Sequence, residues 1–354
     1  MAKVRLGFVG VGGMGQAAHL QNYATLEDAE VVAIAELRED LGKRVAAKYG
    51  VPKVYRNHTE LFAGEKLDGI VNIQGFQFHA QLLPDVFKAG LPIITEKPIA
   101  SSVEAGRKII AALKQTKARY YVGYHKRSDP ATMWAKQQIA KWEASGEVGK
   151  MRYVRVTMPP GDWVAGGFNA NLWSSEPIPG MSADPKPDGM SDVQFKHYGG
   201  LVNYYIHQIN LMRHLFGADY HVKYADRNSV TMTVESDTGV SGLIEMAPFS
   251  NSISWQESAT VCFDRGWIRI DLPAPLTHNR AGRVQVYSDV EKAEPYTYEP
   301  ALPWVHAMRQ QAINFVKAIK GESTPLAGPE DALKDLEVTK EYLDLYIAAG
   351  GKLG

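Results

Sequence analysis

Cysteine is almost missing from this chain: Cys262 is the one thiol in 354 residues. A lone thiol excludes an intramolecular disulfide framework and fits a reducing compartment. Net charge is missing as well. The 39 basic and 39 acidic side chains cancel, with no long block of either sign, which argues against a nucleic-acid binder or a coat for anionic membranes. No apolar run approaches the ~18 residues that span a bilayer, and "MAKVRLGFVG" enters a strand pattern with no basic leader ahead of an apolar core. No cluster of His, Cys and acids has metal-ligand spacing, so no metal site is expected. These absences lead to the expectation of a cytoplasmic protein. What remains is 45% hydrophobic, with 32 Gly and 19 Pro, and the length suffices for two domains with separate cores.

In residues 1–125, the strand-like runs "VRLGFVG", "AEVVAIAE", "LDGIVNI", "GLPIITE" and "ARYYVGY" alternate with helical patterns at Glu39–Tyr49, Ala80–Ala89 and Val103–Lys114. Strands that are apolar throughout and alternate with helices predict a parallel sheet covered on both faces. Gly10-Val11-Gly12-Gly13-Met14-Gly15 stands where the first strand gives way to a helix. Glycines there let the backbone approach a pyrophosphate, and the helix start offers it unpaired N–H groups. Glu36 closes the second strand, 21 residues beyond Gly15. A carboxylate there accepts both hydroxyls of an adenosine ribose and repels a 2′-phosphate. The reading is a Rossmann domain that binds NAD, with Arg38 keeping NADP open.

Residues 126–354 lose this rhythm. An amphipathic helix, Ala131–Ala144, leads to the runs "MRYVRVTM", "YHVKYADR", "SVTMTVES", "GVSGLIEMA", "ATVCFDRGWIRIDL" and "GRVQVYSD". Their alternation predicts a large, open, mainly antiparallel sheet, so the fold class is α/β plus α+β. Residues 159–200 hold six Pro, seven Gly, two Trp and two Phe, which predicts a long functional loop. Trp163, Phe168 and Trp173 could stack on sugar faces or cover a cofactor; equally, the loop could be an arm that packs on a neighbouring subunit. Then "GGLVNYYIHQINLMRHLFG", Gly199 to Gly217, reads as one helix. Val202, Ile206, Ile209 and Phe216 form its apolar stripe, and Asn203, His207, Asn210 and His214 form a second, uncharged polar stripe. That polar stripe is expected to line a site.

"ITEKPIA" (Ile94–Ala100), "VGYHKRSDP", the helix just quoted and the closing "EDALKDLEVTKEYLDLYIAAGGK" together resemble the glucose–fructose oxidoreductase / inositol dehydrogenase / rhizopine-catabolism (Gfo/Idh/MocA) family over nearly the whole chain. The resemblance implies a homodimer or homotetramer that moves a hydride between NAD and a sugar, sugar derivative or cyclitol. It assigns Gly10, Gly12, Gly13, Met14 and Gly15 to the pyrophosphate, Glu36 and Arg38 to the adenosine ribose, and Glu96 to the nicotinamide ribose. His79 and Gln74 fall beside the nicotinamide, although Gln74-Gly75-Phe76 replaces the family's usual Thr-Pro-Asn. Lys97, before a candidate cis Pro98, and His207 become the catalytic pair. Tyr124, His125, Arg127, Asn203 and Trp163 are candidate substrate contacts, and Arg127 could instead pair with an acid. The family's Asp-x-x-x-His, with an acid three residues on, is here Asn203, His207 and Asn210. Two alternatives stay open. Tyr204, three residues before His207, is similar to the Tyr-x-x-His of NAD-dependent glycosidases, although it shares the histidine's face only partly and reads better as packing. Some proteins of this fold bind dinucleotide only to regulate others, and retention of Glu96-Lys97-Pro98 and His207 counts against that.

Overall fold

The computed structural model describes residues 2–178 and 180–353, with Pro179 outside the described residues. The chain forms two compact units, and neither is one continuous stretch. Residues 1–124, 166–189 and 308–333 form the first; residues 125–165, 190–307 and 334–354 form the second. A single cut after residue 125 therefore misses two returns of the chain to the first unit.

The first unit is built on β1 (Val4–Val9), β2 (Ala29–Ala35), β3 (Lys53–Tyr55), β4 (Gly69–Asn72), β5 (Pro92–Glu96) and β6 (Arg119–Gly123). They pair in parallel in the order β3-β2-β1-β4-β5-β6. The order reverses beside β1, and such a switch point opens a crevice at the carboxyl ends of the strands. A π-helical segment, Gly15–Leu20, continues into α1 (Gln21–Tyr23); α2 (Glu39–Tyr49), α3 (His58–Gly64), α4 (His79–Phe87), α5 (Val103–Leu113) and α9 (Ala307–Ile319) complete the unit's larger helices. The apolar runs are buried because helices cover both faces: Leu6, Phe8, Ile34, Val71 and Ile94 are fully inside, joined by Phe315 of α9. β3 escapes the sequence pattern because three half-exposed residues carry no measurable period.

The second unit contains α6 (Pro130–Ser145), β7 (Met151–Thr157), α7 (Asp192–Tyr204), α8 (Ile206–Phe216), β8 (Tyr220–Ala225), β9 (Thr231–Ser236), β10 (Ser241–Glu245), β11 (Ser258–Phe263), β12 (Gly266–Asp271), β13 (Arg283–Ser288), β14 (Tyr296–Tyr298) and most of α10 (Pro329–Ala348). The sheet runs β14-β13-β12-β11-β7-β10-β9-β8, and β10 with β7 is its one parallel pair among the described residues. Alternate residues face a core that includes Trp142 and Ile139 of α6, Val154 and Val156 of β7, and Met212 and Leu215 of α8. The run "ATVCFDRGWIRIDL" is a hairpin of two strands, turning at Asp264-Arg265.

Two expectations are corrected here. Residues 159–200 are not loop throughout, because α7 starts at Asp192. The Ser191 hydroxyl accepts the Gln194 backbone N–H at 3.2 Å, and the Gln194 side-chain Oε1 accepts the Ser191 backbone N–H at 2.8 Å. This reciprocal cap supplies a helix start that composition hides. The helix read over Gly199–Gly217 is also two helices. Tyr205 separates them with bridge-region backbone (φ −87°, ψ −5°), its ring edge-on to Tyr204 and its hydroxyl donating to the Met246 carbonyl at 3.1 Å.

Asp129 caps α6 from a buried position. Its carboxylate accepts N–H groups from Ala131 at 2.8 Å and Gly282 at 3.0 Å. Burial pushes its pKa up to about 6, against the opposing pull of those N–H groups and of Lys126. Folding therefore favours the protonated form. The associated stability is full below the unfolded value, near 4, and is lost as pH rises through about 6, on the order of 2–3 kcal/mol. Chemical denaturation between these pH values is expected to show wild type losing stability relative to Asp129→Asn as pH rises. A difference that stays flat across the window would contradict this.

Candidate active site

The Gly-rich turn of the first unit is shaped by lack of space. Gly10 has φ +89°, and a Cβ there would stand 2.3 Å from the Ile73 carbonyl oxygen, with the Gln74 side chain at 2.5 Å. At Gly15 a Cβ would stand 2.6 Å from the Gly10 carbonyl. Gly12 faces the Arg38 guanidinium and Gly13 faces Trp173, while Met14 packs partly onto the core. The helix that follows has no side-chain cap and no acid in its first turn, so its start suits an anion. Glu36 binds the turn directly: one carboxylate oxygen accepts the Val11 N–H at 3.0 Å, and the other accepts Arg38 Nε at 2.8 Å. Arg38 is thus paired with the residue that would meet the ribose.

Further along the same sheet edge, β5 delivers Glu96 and Lys97, and Lys97–Pro98 is cis, as expected. Glu96 is buried, and His19 Nε2 lies 2.7 Å from its Oε1. The Lys97 N–H donates to Oε2 at 3.3 Å. Burial pushes the Glu96 carboxyl up, but the His19 contact and the Lys97 charge outweigh it, so its pKa is held below the ordinary range. His79 is buried at the start of α4, with Nδ1 3.0 Å from the Ile99 carbonyl; burial lowers its pKa. His79 thus joins α4 to the residues after Pro98. Tyr124, at the end of β6, is buried in this unit.

In the second unit the His125 and His207 rings meet edge to face, with centroids 4.7 Å apart. The polar stripe divides. Asn203 is exposed and His207 half-buried, whereas Asn210 is fully buried and structural. Arg127 Nε donates to Asn210 Oδ1 at 2.7 Å, and Asn210 Nδ2 donates to Asp335 Oδ2 at 2.7 Å. Arg127 therefore reaches an acid through an amide, inside one unit. His214 is half-buried. Burial and the charges of Arg127 and Lys136 hold its pKa well below the usual imidazole value. Tyr204 accepts the Gly161 N–H at 3.4 Å, and its ring packs edge-on against Tyr205. Trp163 stays with the second unit, its carbonyl accepting the Leu276 N–H at 3.3 Å, while Phe168 and Trp173 belong to the first.

Two partners were missed from sequence. His19 gives no signal because nothing ties a helical histidine to a carboxylate 77 residues away. Glu257 is buried, pairs with Lys126, and accepts Gln208 Nε2 at 2.8 Å. It thereby holds the chain neighbours of both His125 and His207, and only the folded register brings them together. Among the described residues no group of three or more His, Cys, Asp or Glu could hold a metal ion, and no helix is long and apolar enough to cross a membrane.

Residues 4–124 match the family model described as an oxidoreductase family with an NAD-binding Rossmann fold. The chain is 23% identical to the scyllo-inositol 2-dehydrogenase (NAD(+)) of Bacillus subtilis over 95% of its own length and 92% of that protein's. It is 23% identical to the myo-inositol 2-dehydrogenase of Thermotoga maritima over 69% of its length, spanning 63% of that relative. Among solved structures, a levoglucosan dehydrogenase in complex with NADH and levoglucosan shares the fold, with a TM-score of 0.72, 17% identity and 98% of each chain covered. The Gly-rich turn, the Glu96-Lys97-Pro98 corner and these likenesses agree: residues 4–124 are the NAD-binding Rossmann domain of the Gfo/Idh/MocA oxidoreductase family.

Proposed function

We propose that this protein is an NAD-dependent dehydrogenase or keto-reductase acting at a CH–OH carbon of a sugar, sugar derivative or cyclitol. The observation that carries the reading is the corner at the end of β5. There a buried Glu96, kept ionised by His19, precedes Lys97, in a chain aligned along 95% of its length with a scyllo-inositol dehydrogenase. The turn from Gly10 to Gly15 and Glu36 would hold NAD, which supplies the hydride acceptor or donor. Lys97 and His207 handle the proton: one orients the substrate hydroxyl while the other takes its proton, and the roles reverse in reduction. Glu257, through Gln208 and Lys126, limits the motion of the residues that carry His207 and His125. Tyr124, Trp163 and Arg127 are proposed to shape the substrate side, Arg127 with its guanidinium restrained by Asn210.

Asn203 departs from the family's aspartate and cannot offer the charge that would favour a protonated imidazole. His207 is accordingly proposed to be less basic than in relatives with the acid, or to share more of the proton transfer with Lys97. Tyr204 packs edge-on against Tyr205, with ring centroids 5.0 Å apart, which supports a packing role for it and the dehydrogenase over the glycosidase alternative.

Purified protein, NAD and panels of free polyols and aryl glycosides separate the readings. The expected outcome is stoichiometric NADH from a polyol, falling about 10²–10⁴-fold in kcat/KM for His207→Ala and for Lys97→Ala. Aglycone release without net NADH would replace the dehydrogenase reading, and full activity of either variant would overturn its assignment. In a pH–rate comparison, Asn203→Asp is expected to raise the acidic limb of kcat/KM by about one pH unit. Superimposable profiles would contradict a role for this position.

A further inference from the structure

The His125 and His207 rings meet edge to face, with centroids 4.7 Å apart, and one buried carboxylate holds both in place. Glu257 pairs with Lys126, the residue after His125, and accepts Nε2 of Gln208, the residue after His207, at 2.8 Å. Trp255 Nε1 donates to the same carboxylate at 3.3 Å, and its ring lies 5.6 Å from the Lys126 ammonium. Of the two cations that follow His125 in the chain, Lys126 is thus committed to Glu257, and Arg127 directs its Nε at Asn210.

His125 also lines a small cavity with room for about one water molecule. Lys126, Asp129, Thr277 and His306 complete its polar wall, and Leu272-Pro273-Ala274-Pro275 form the apolar one. A buried water is held by about two to four polar partners, and this lining supplies them. Asp129 is buried; Oδ1 accepts the Ala131 and Gly282 N–H groups, while Oδ2 has a longer share of the Gly282 N–H at 3.2 Å. Burial pushes its pKa up to about 6, so the carboxylate takes up and releases a proton near neutral pH. His306 is buried too, and its Nδ1 accepts the Asn279 N–H at 3.1 Å, which leaves the hydrogen of the neutral ring on Nε2. The His306 ring stacks on the exposed His278, with centroids 5.3 Å apart and 16° between the planes. From His207, groups able to carry a proton run through His125, the cavity at Asp129 and His306 to solvent at His278, all within the second unit.

Oxidation of a CH–OH carbon sends a hydride to NAD and the hydroxyl proton to His207. Each turnover therefore leaves one proton on that imidazole, which must be gone before the next. An imidazole accepts a proton at one nitrogen and gives up the proton on the other, so a row of them passes charge without a net change in the row. Resting on the dehydrogenase reading above, we propose that His125, the water-sized cavity at Asp129, His306 and His278 are the route by which the proton taken up by His207 reaches solvent. Reduction of the carbonyl runs the same route inward. His125 is then a relay for His207, with Glu257 as the residue that positions the two rings.

Stopped-flow mixing with NAD and the polyol turned over in the panel above, in weakly buffered solution with a pH indicator, records NADH and the released proton together. Wild type is expected to release the proton as fast as NADH forms. His125→Phe keeps a ring against His207 but cannot carry a proton, and His306→Gln interrupts the outer end of the route. In each, proton release is expected to lag NADH by about tenfold or more, with kcat lowered and kcat/KM unchanged. Added imidazole is expected to close the lag, which it would not do for a structural role or a lost substrate contact. One variant decides alone if the other does not fold. A lag in wild type, release that keeps pace with NADH in either variant, or a lag that imidazole leaves in place would overturn the route and leave the dehydrogenase reading standing. No NADH from wild type with any polyol would overturn that reading and the route with it.

Discussion

A turn with no room for side chains sets the terms for the first unit. Gly10 and Gly15 each place a would-be Cβ within 2.6 Å of a backbone carbonyl oxygen, so the path from β1 into its helix exists only with glycine at both positions. That path aims the Val11 N–H at Glu36, opens the start of the helix that carries Gln16 and His19, and leaves the Gly13 carbonyl to Asn171. The Glu36 contact, the Asn171 anchor and the buried partner of Glu96 all depend on this turn.

Buried polar groups supply the second layer of order. Glu96 with His19, Glu257 with Lys126 and Gln208, and Asp335 with Arg213 and Asn210 lie in or beside the elements that carry the candidate site. Buried ion pairs add little net stability, because desolvation offsets their attraction. Their effect here is geometric. Each satisfies a carboxylate from several directions and so fixes which way the adjoining segment faces. Glu257 restrains the residues next to His125 and His207, and His19 leaves Glu96 with one defined orientation beside Lys97.

Much of this was legible in the sequence, for physical reasons. Continuously apolar strands announced a parallel sheet because helices cover both of its faces, and Gly10, Glu36 and Glu96-Lys97-Pro98 stand, as the sequence has them, at the carboxyl ends of β1, β2 and β5. What was hidden depends on distant pairing. The split of the Gly199–Gly217 helix at Tyr205, the role of Asn210 as wiring between Arg127 and Asp335, and the return of Gly166–Gly189 to the first unit leave no periodic trace. A stripe of Asn and His looks the same whether it faces a ligand or a buried acid.

The central claim is that the turn from Gly10 to Gly15 is a dinucleotide site and that its shape requires glycine. NADH fluorescence titration of wild type against Gly10→Ala, with both proteins confirmed folded by circular dichroism, tests it most directly. The account expects saturable binding to wild type and loss of that binding in the variant, because the added methyl must displace the Ile73 carbonyl and the Gln74 side chain. Equal binding by the two proteins would contradict it.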